Sequence, residues 1–471
     1  MNQRKFNWTY LLLMAVFVLA SCSKVPKSAK FIPADAAVVS IDVKQMFEKS
    51  KVSDNEEAKN KLLETIEQNA KNQETKDLIK KIVEDPAKAG VDLREPIFAF
   101  VTKEQKSGAT GTLLDKDDFA QLLNTVAKEG GLEATQEKDG IQYIQNKRDI
   151  IAFDDANFFY TESYSLDEVV ALFKNDDTQN TMAENDDFGK FSEGKGFIKA
   201  LIPMVAFEEL VNEKAKQSLP EGAELKDLSL FLDLTSDKGV AKLSAETLAK
   251  SDAWKKAIKQ STDICGTIDG DYLKYIAKGA FVMYANFDGK KLYELLEKND
   301  ALKNIGADSQ KELAKKVLES IDGDFVIGVS EVKGLMPEAA IYINTKDQSI
   351  LDLAKQNGLK PEKGIDFGFK DGTTYLAIGE KGAFTEAKEG YDKGNVKGRR
   401  FYLACDIELI SNLASMINRT ASSSAKMAAD HISAAEWYDT SDTSCELVLK
   451  MKDQEKDPLQ YFLDLFLKQI M

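Results

Sequence analysis

From Ala37 onward the chain alternates two kinds of apolar spacing, and this alternation limits the folds open to it. Runs such as Ile97 to Val101 and Ile150 to Phe153 are short, apolar and bounded by turn residues, as strands are. Between them lie helical stretches with a charged opposite face: Leu62, Leu63, Ile66 and Ala70, then Leu78, Ile79, Ile82 and Val83. A first strand is expected at Ala37 to Val43, and Thr112 to Leu114 is strand-like. Asp85-Pro86 stops the long helical stretch, and Gly90-Val91-Asp92-Leu93 leads into the next strand. Asp115 to Asp118 open a helix carrying Phe119, Leu122, Leu123 and Val126, which Gly130-Gly131 ends. Gly140 to Ile144, Ile150 to Phe153 and Phe158 to Thr161 read as a meander with turns at Asn146-Lys147 and Asp154-Asp155, and Ser165 caps the next helix. The class this predicts is α+β, antiparallel sheet with helices packed on one face.

The second part of the chain replays the first in order. Ala37-to-Asp42 resembles Ala280-to-Asn286, Phe98 to Val101 answers to Val326 to Val329, and Leu114-Asp115 to Ile343-Asn344. Gly140 to Tyr143 answers to Gly364 to Phe367, and Thr235-Ser236-Asp237 to Thr440-Ser441-Asp442. Five matches in order predict an internal duplication of two related halves. The expected division is 31–262 and 263–471, preceded by a leader at 1–21 and a tether at 22–30.

Arg4 and Lys5 head an apolar stretch, Leu11 to Ala20, that is too short to span a membrane and closes on Leu19-Ala20-Ser21-Cys22. This resembles the lipobox of bacterial lipoproteins. It implies diacylation of the Cys22 thiol, removal of the leader, and a mature chain held to a membrane by lipid. No later stretch is long and apolar enough to cross a bilayer.

The net charge of −15 becomes −17 once the leader, with its two cations and no acids, is gone. A surface of that sign repels phosphate backbones, so nucleic acid is excluded as a partner. Three cysteines remain, Cys265, Cys405 and Cys445, an odd set that is no disulfide framework. Cys405 lies in phase with Phe401 and Leu403, and Cys445 with Leu447 and Leu449, so both are expected on apolar strand faces. They are small buried thiols or a bridged pair, which the sequence leaves open.

The search for chemistry returns mostly absences. With one histidine, His431, no H-E-x-x-H or two-histidine metal motif can form, and no G-x-S-x-G elbow accompanies a serine. His431 reads as a solvated or capping helix residue. Gly108-Ala109-Thr110-Gly111 lacks the spacing of a phosphate loop and reads as a turn between strands. Ile268-Asp269-Gly270-Asp271 and Ile321-Asp322-Gly323-Asp324 lack the further acids of a calcium loop and also read as turns. The acid pairs Asp117-Asp118, Asp154-Asp155, Asp176-Asp177, Asp186-Asp187 and Glu208-Glu209 sit at expected turns and helix starts, where acids suit local hydrogen bonding. Trp254 and Trp437 are expected to pack rather than to form a sugar platform. Asp457 caps a C-terminal helix with Pro458 at its first position and an apolar circumference broken only by Gln460, Asp464 and Lys468. That helix is either wrapped by its own domain or shared with a partner.

Phe31-Ile32-Pro33-Ala34-Asp35-Ala36-Ala37, and Asp85-Pro86 followed by Gly90-Val91-Asp92-Leu93 and Pro96, resemble an uncharacterised family of Bacteroidetes lipoproteins, a domain of unknown function covering nearly the whole mature chain. The resemblance implies an exported, lipid-anchored α+β protein and brings no catalytic residue. In such lipoproteins acids after the cysteine often mark export to the outer face. Ser23-Lys24-Val25-Pro26-Lys27 has none, which implies an outer-membrane anchor facing the periplasm.

The function expected is non-catalytic binding or scaffolding, with the membrane as partner through the lipid and a protein or small molecule as ligand, seated in a groove between the halves. Cys22 is the modified residue expected; no catalytic, cofactor-binding or metal-binding residue is assigned. The alternatives are a carboxylate-dependent hydrolase in that groove and a subunit of an envelope assembly.

Overall fold

A computed structural model describes residues 26–51, 56, 59–60, 63–64, 70, 72–175, 178–211, 216, 219–298, 308–333, 336–379, 382–417, 426 and 428–461. Cys22, the leader, Asp176-Asp177 and the C-terminal helix beyond residue 461 lie outside them. Two compact units emerge, one within Met1–Lys216, Ala223–Lys250 and Glu455–Met471, the other within Gln217–Gly222 and Ser251–Gln454.

In the first unit the strands are β1 (Ala37–Ile41), β2 (Ile97–Val101), β3 (Ser107–Thr112), β4 (Gln136–Lys138), β5 (Ile141–Asn146), β6 (Asp149–Phe153), β7 (Asn157–Thr161), β8 (Ile198–Pro203), β9 (Leu228–Asp237) and β10 (Val240–Ala249). They pair in the order β4-β5-β6-β7-β3-β2-β1-β8-β9-β10, every pair antiparallel. In the second unit β11 (Phe281–Asp288), β12 (Ile321–Lys333), β13 (Met336–Thr345), β14 (Ile365–Lys370), β15 (Thr373–Ile378), β16 (Phe401–Asp406), β17 (Ile432–Asp439) and β18 (Ser444–Met451) pair as β14-β15-β13-β12-β11-β16-β17-β18, also antiparallel.

Two related halves, each with its own sheet, were the expectation, and the strands overturn it. All eighteen belong to one large antiparallel sheet. An antiparallel strand carries donors and acceptors along both edges, and side-chain alternation says nothing about where pairing stops.

Packing on one face is also corrected in the first unit. Ile97 and Phe98 are adjacent on β2, so they point to opposite faces, and both are buried. Phe158 and Phe159 on β7 do the same. Phe98 and Phe159 join Phe31, Val170, Phe173, Phe188 and Phe191 in one core beneath the helices Leu166–Lys174 and Phe188–Glu193. Ile97 and Phe158 join Val43, Phe119, Leu123 and Phe153 beneath the helices Val43–Ser50 and Lys116–Gly130. Consecutive apolar residues along a strand are the mark of burial on both faces.

Local signals hold closely. Asp115 accepts from the amides of Asp117 and Asp118, Gly131 ends the same helix in the left-handed region, and Ser165 and Glu168 form a capping box. Lys147, with φ of 57°, makes the β5–β6 turn, and Asp154 accepts from the amides of Ala156 and Asn157 in the next. Asp42 caps a helix, so Val43 is its first residue rather than the end of a strand.

Gly108 to Gly111 form β3 itself rather than a turn. A Cβ on Gly108 would meet the Phe100 ring at 2.9 Å, and one on Gly111 the Phe158 ring at 2.6 Å. Glycines there make room for aromatic rings from the neighbouring strands. The second Asp-Gly-Asp is likewise inside β12, with Asp324 only 3% exposed. Among the described residues no helix is long and apolar enough to cross a membrane.

Candidate binding site

Within the second unit, small residues stand side by side across three strands. Gly328 on β12 faces Ala340 on β13, which faces Ala377 on β15. One step along the same face come Val326, Tyr342 and Tyr375, so the floor is shallow where the residues are small and walled where they are aromatic. The short helical turn Asp271–Tyr275 and the residues that follow it lie over this floor and contribute Tyr275 and Ile276. Together they enclose a cavity of about 60 Å³. That is room for a few ordered waters or one group of similar bulk. Ser330 and Thr385 bring hydroxyls to its lining, and Glu338 a carboxylate.

The aromatic wall is packed ring against ring. Tyr272 stacks on Tyr342, with centroids 5.2 Å apart and planes 6° from parallel. Phe384 lies 5.3 Å from both Tyr275 and Tyr342, and 5.0 Å from Tyr375. Such pairs add about 0.5–1.5 kcal/mol each beyond the area they bury. Phe384 has φ of 60°, the left-handed region that a bulky side chain rarely occupies, and its amide donates to the Tyr342 hydroxyl at 3.3 Å. Packing therefore holds Phe384 in a strained backbone, a trait concentrated at functional positions.

Behind this wall a carboxyl is buried with no cation bonded to it among the described residues. Asp324 accepts from the Tyr284 hydroxyl at 2.6 Å, the Asn286 amide at 2.7 Å and the Asp269 backbone amide. The two Asp-Gly-Asp sequences thus meet. Burial raises the pKa of Asp324, against the lowering by its hydrogen bonds. Tyr284, fully buried and donating to that carboxyl, is also pushed up, by burial first. Tyr272 bonds through its hydroxyl to Asn344 and Thr373.

The acid pairs are occupied elsewhere. Asp118 pairs with Lys88, Asp155 with Lys116, Asp187 with Lys250 and Glu208 with Lys103. His431 is half-buried at the end of a helical turn. Trp254 is half-buried, whereas Trp437 is 46% exposed beside Leu447 and Phe401.

All three described cysteines are free and half-buried, and Cys405 and Cys445 sit on β16 and β18 with β17 between them. On β16 it is Tyr402 and Ala404, not the phase of Cys405, that face the core. Among the described residues no three metal-binding side chains converge.

Sequence reasoning missed the tyrosines. The signal was there as a two-residue step between a small and an aromatic residue, Ala340 to Tyr342 and Tyr375 to Ala377.

A family defined by a domain of unknown function, DUF4836, matches residues 29–430. No curated protein matches the chain. Two solved structures, crystal forms III and IV of TP0453, are each 15% identical with a TM-score of 0.27; they cover 51% and 47% of this chain and 88% and 81% of their own.

Proposed function

Because this chain belongs to the DUF4836 family, whose description assigns no activity, we propose its function from its own residues: a lipid-anchored envelope protein that binds rather than catalyses. The anchor is the Cys22 thiol, in an outer membrane and facing the periplasm, on the strength of the run Leu19-Ala20-Ser21-Cys22 and the acid-free residues after it. The binding reading rests on one observation above the rest. A carboxylate hydrolase needs two acids converging, one of them kept protonated by burial. Among the described residues the candidate pairs lie in surface ion pairs and caps, and the buried Asp324 is held by neutral donors, its acidic neighbour Asp269 bonding to it through the backbone amide.

The seat we assign is the tyrosine-walled cavity over Gly328, Ala340 and Ala377. Its ligand group is small and not anionic, since Glu338 lines the cavity and the chain carries −15. A ligand-observed NMR screen of neutral, cationic and anionic fragments against leaderless protein tests this, with Ala340→Leu filling the floor. Neutral or cationic fragments should bind wild type and lose binding to the variant. Equal binding by the variant, or a preference for anions, overturns the assignment.

A further inference from the structure

The segment that walls the cavity is tied down behind it, at Asp324. Its residues Ile268, Leu273 and Ile276 are buried, and Asp269 donates its backbone amide to Asp324. The Tyr272 amide donates to the Tyr284 hydroxyl, which donates in turn to the same carboxyl at 2.6 Å. Asn286 holds the other carboxyl oxygen at 2.7 Å. Strand β11 supplies Tyr284 and Asn286, β12 supplies Asp324, and the covering segment supplies the two amides. A single carboxyl thus joins two strands to the wall of the cavity.

We propose that Asp324 is a latch that positions the segment 268–277 over the cavity and makes its closure depend on pH. The inference rests on the cavity being the binding seat, but its test needs no ligand.

The direction follows from the surroundings of the carboxyl. Burial is the largest influence on Asp324, and the negative charge of Asp269 pushes the same way. Tyr284 and Tyr272, the other titratable groups nearby, are themselves shifted upward by burial. With the segment closed, Asp324 therefore holds its proton to a higher pH than it does when the segment lifts and water reaches it. Closure is strongest below the ordinary carboxyl range and weakens as pH rises through the raised value. Each unit by which closure raises the pKa corresponds to a tenfold change in the opening equilibrium.

Hydrogen exchange followed by mass spectrometry on the leaderless chain, from pH 4 to pH 7 and corrected for intrinsic rates, reads this directly. Wild-type protection across 268–277 should fall about tenfold per unit of that raise and then level off. Asp324→Asn keeps the shape without the titration, and its protection there should be flat with pH. Tyr284→Phe removes one donor to the ionised form, so the fall should extend to higher pH. A flat wild-type profile, or the same fall in Asp324→Asn, overturns the latch. Loss of fragment binding in Ala340→Leu bears on the seat alone, so the two ideas fail separately.

Discussion

The Ser236 hydroxyl reaches both carboxylate oxygens of Asp457, at 2.8 and 3.0 Å, across 221 residues of sequence. Asp457 is 8% exposed, has Lys49 at 3.8 Å, and accepts from the Leu459 amide at 3.0 Å. A residue assigned from sequence as a helix cap is therefore also the tie that returns the chain end to the first unit. Asp457→Ala leaves a buried hydroxyl without its acceptor and removes the cap, and should cost about 3 kcal/mol. Ser236→Ala leaves the ion pair and cap in place and should cost about 1 kcal/mol. Urea denaturation of both variants checks the ordering.

Gly90 sits where the surrounding backbone leaves no room for a side chain. A Cβ there would lie 2.3 Å from the Phe119 amide nitrogen and 2.4 Å from the Asp115 carbonyl oxygen, at φ of +75°. Backbone cannot swing aside as a flexible side chain does. Gly90→Ala combines overpacking with left-handed strain and should cost about 3 kcal/mol or more. Gly140 has φ of +84° with open space around it, so Gly140→Ala should cost only about 1–2 kcal/mol. Thermal unfolding of the pair separates crowding from strain.

Glu168 sets part of the acid limit of the first unit. Its carboxyl is held down to about 2, first by the Lys106 ammonium at 2.6 Å and then by the Ser165 amide and hydroxyl. A carboxyl lowered on folding adds stability above its unfolded value, near 4.5, and loses it as pH falls toward about 2. The side chain is 47% exposed, so screening by water keeps the gain small. Glu168→Gln should leave a shallower decline of stability across that window. Equilibrium unfolding at stepped pH gives the slope.

Local chemistry was legible in the sequence wherever one residue type answers one backbone need. Asp115, Gly131, Ser165 and the turn at Asn146-Lys147 fall where spacing put them. The failures share a physical cause, which is that the deciding partner is distant. Gly108 and Gly111 look like a turn until the Phe100 and Phe158 rings of other strands are placed over them. Asp324 looks like a surface acid until β11 brings Tyr284 and Asn286 against it. Adjacent apolar pairs such as Ile97-Phe98 did carry the warning that both faces of the sheet are covered. Phe384 shows the same limit at the cavity, since no local pattern places a phenylalanine at positive φ.

The claim that this chain works as a lipid-anchored binder starts from Cys22, so the mass of the N-terminal peptide from protein extracted out of native membranes tests it most directly. The account predicts a peptide that begins at Cys22 and carries a thioether-linked diacylglycerol. An unmodified Cys22 within a longer peptide, from protein found outside the membrane fraction, would contradict it.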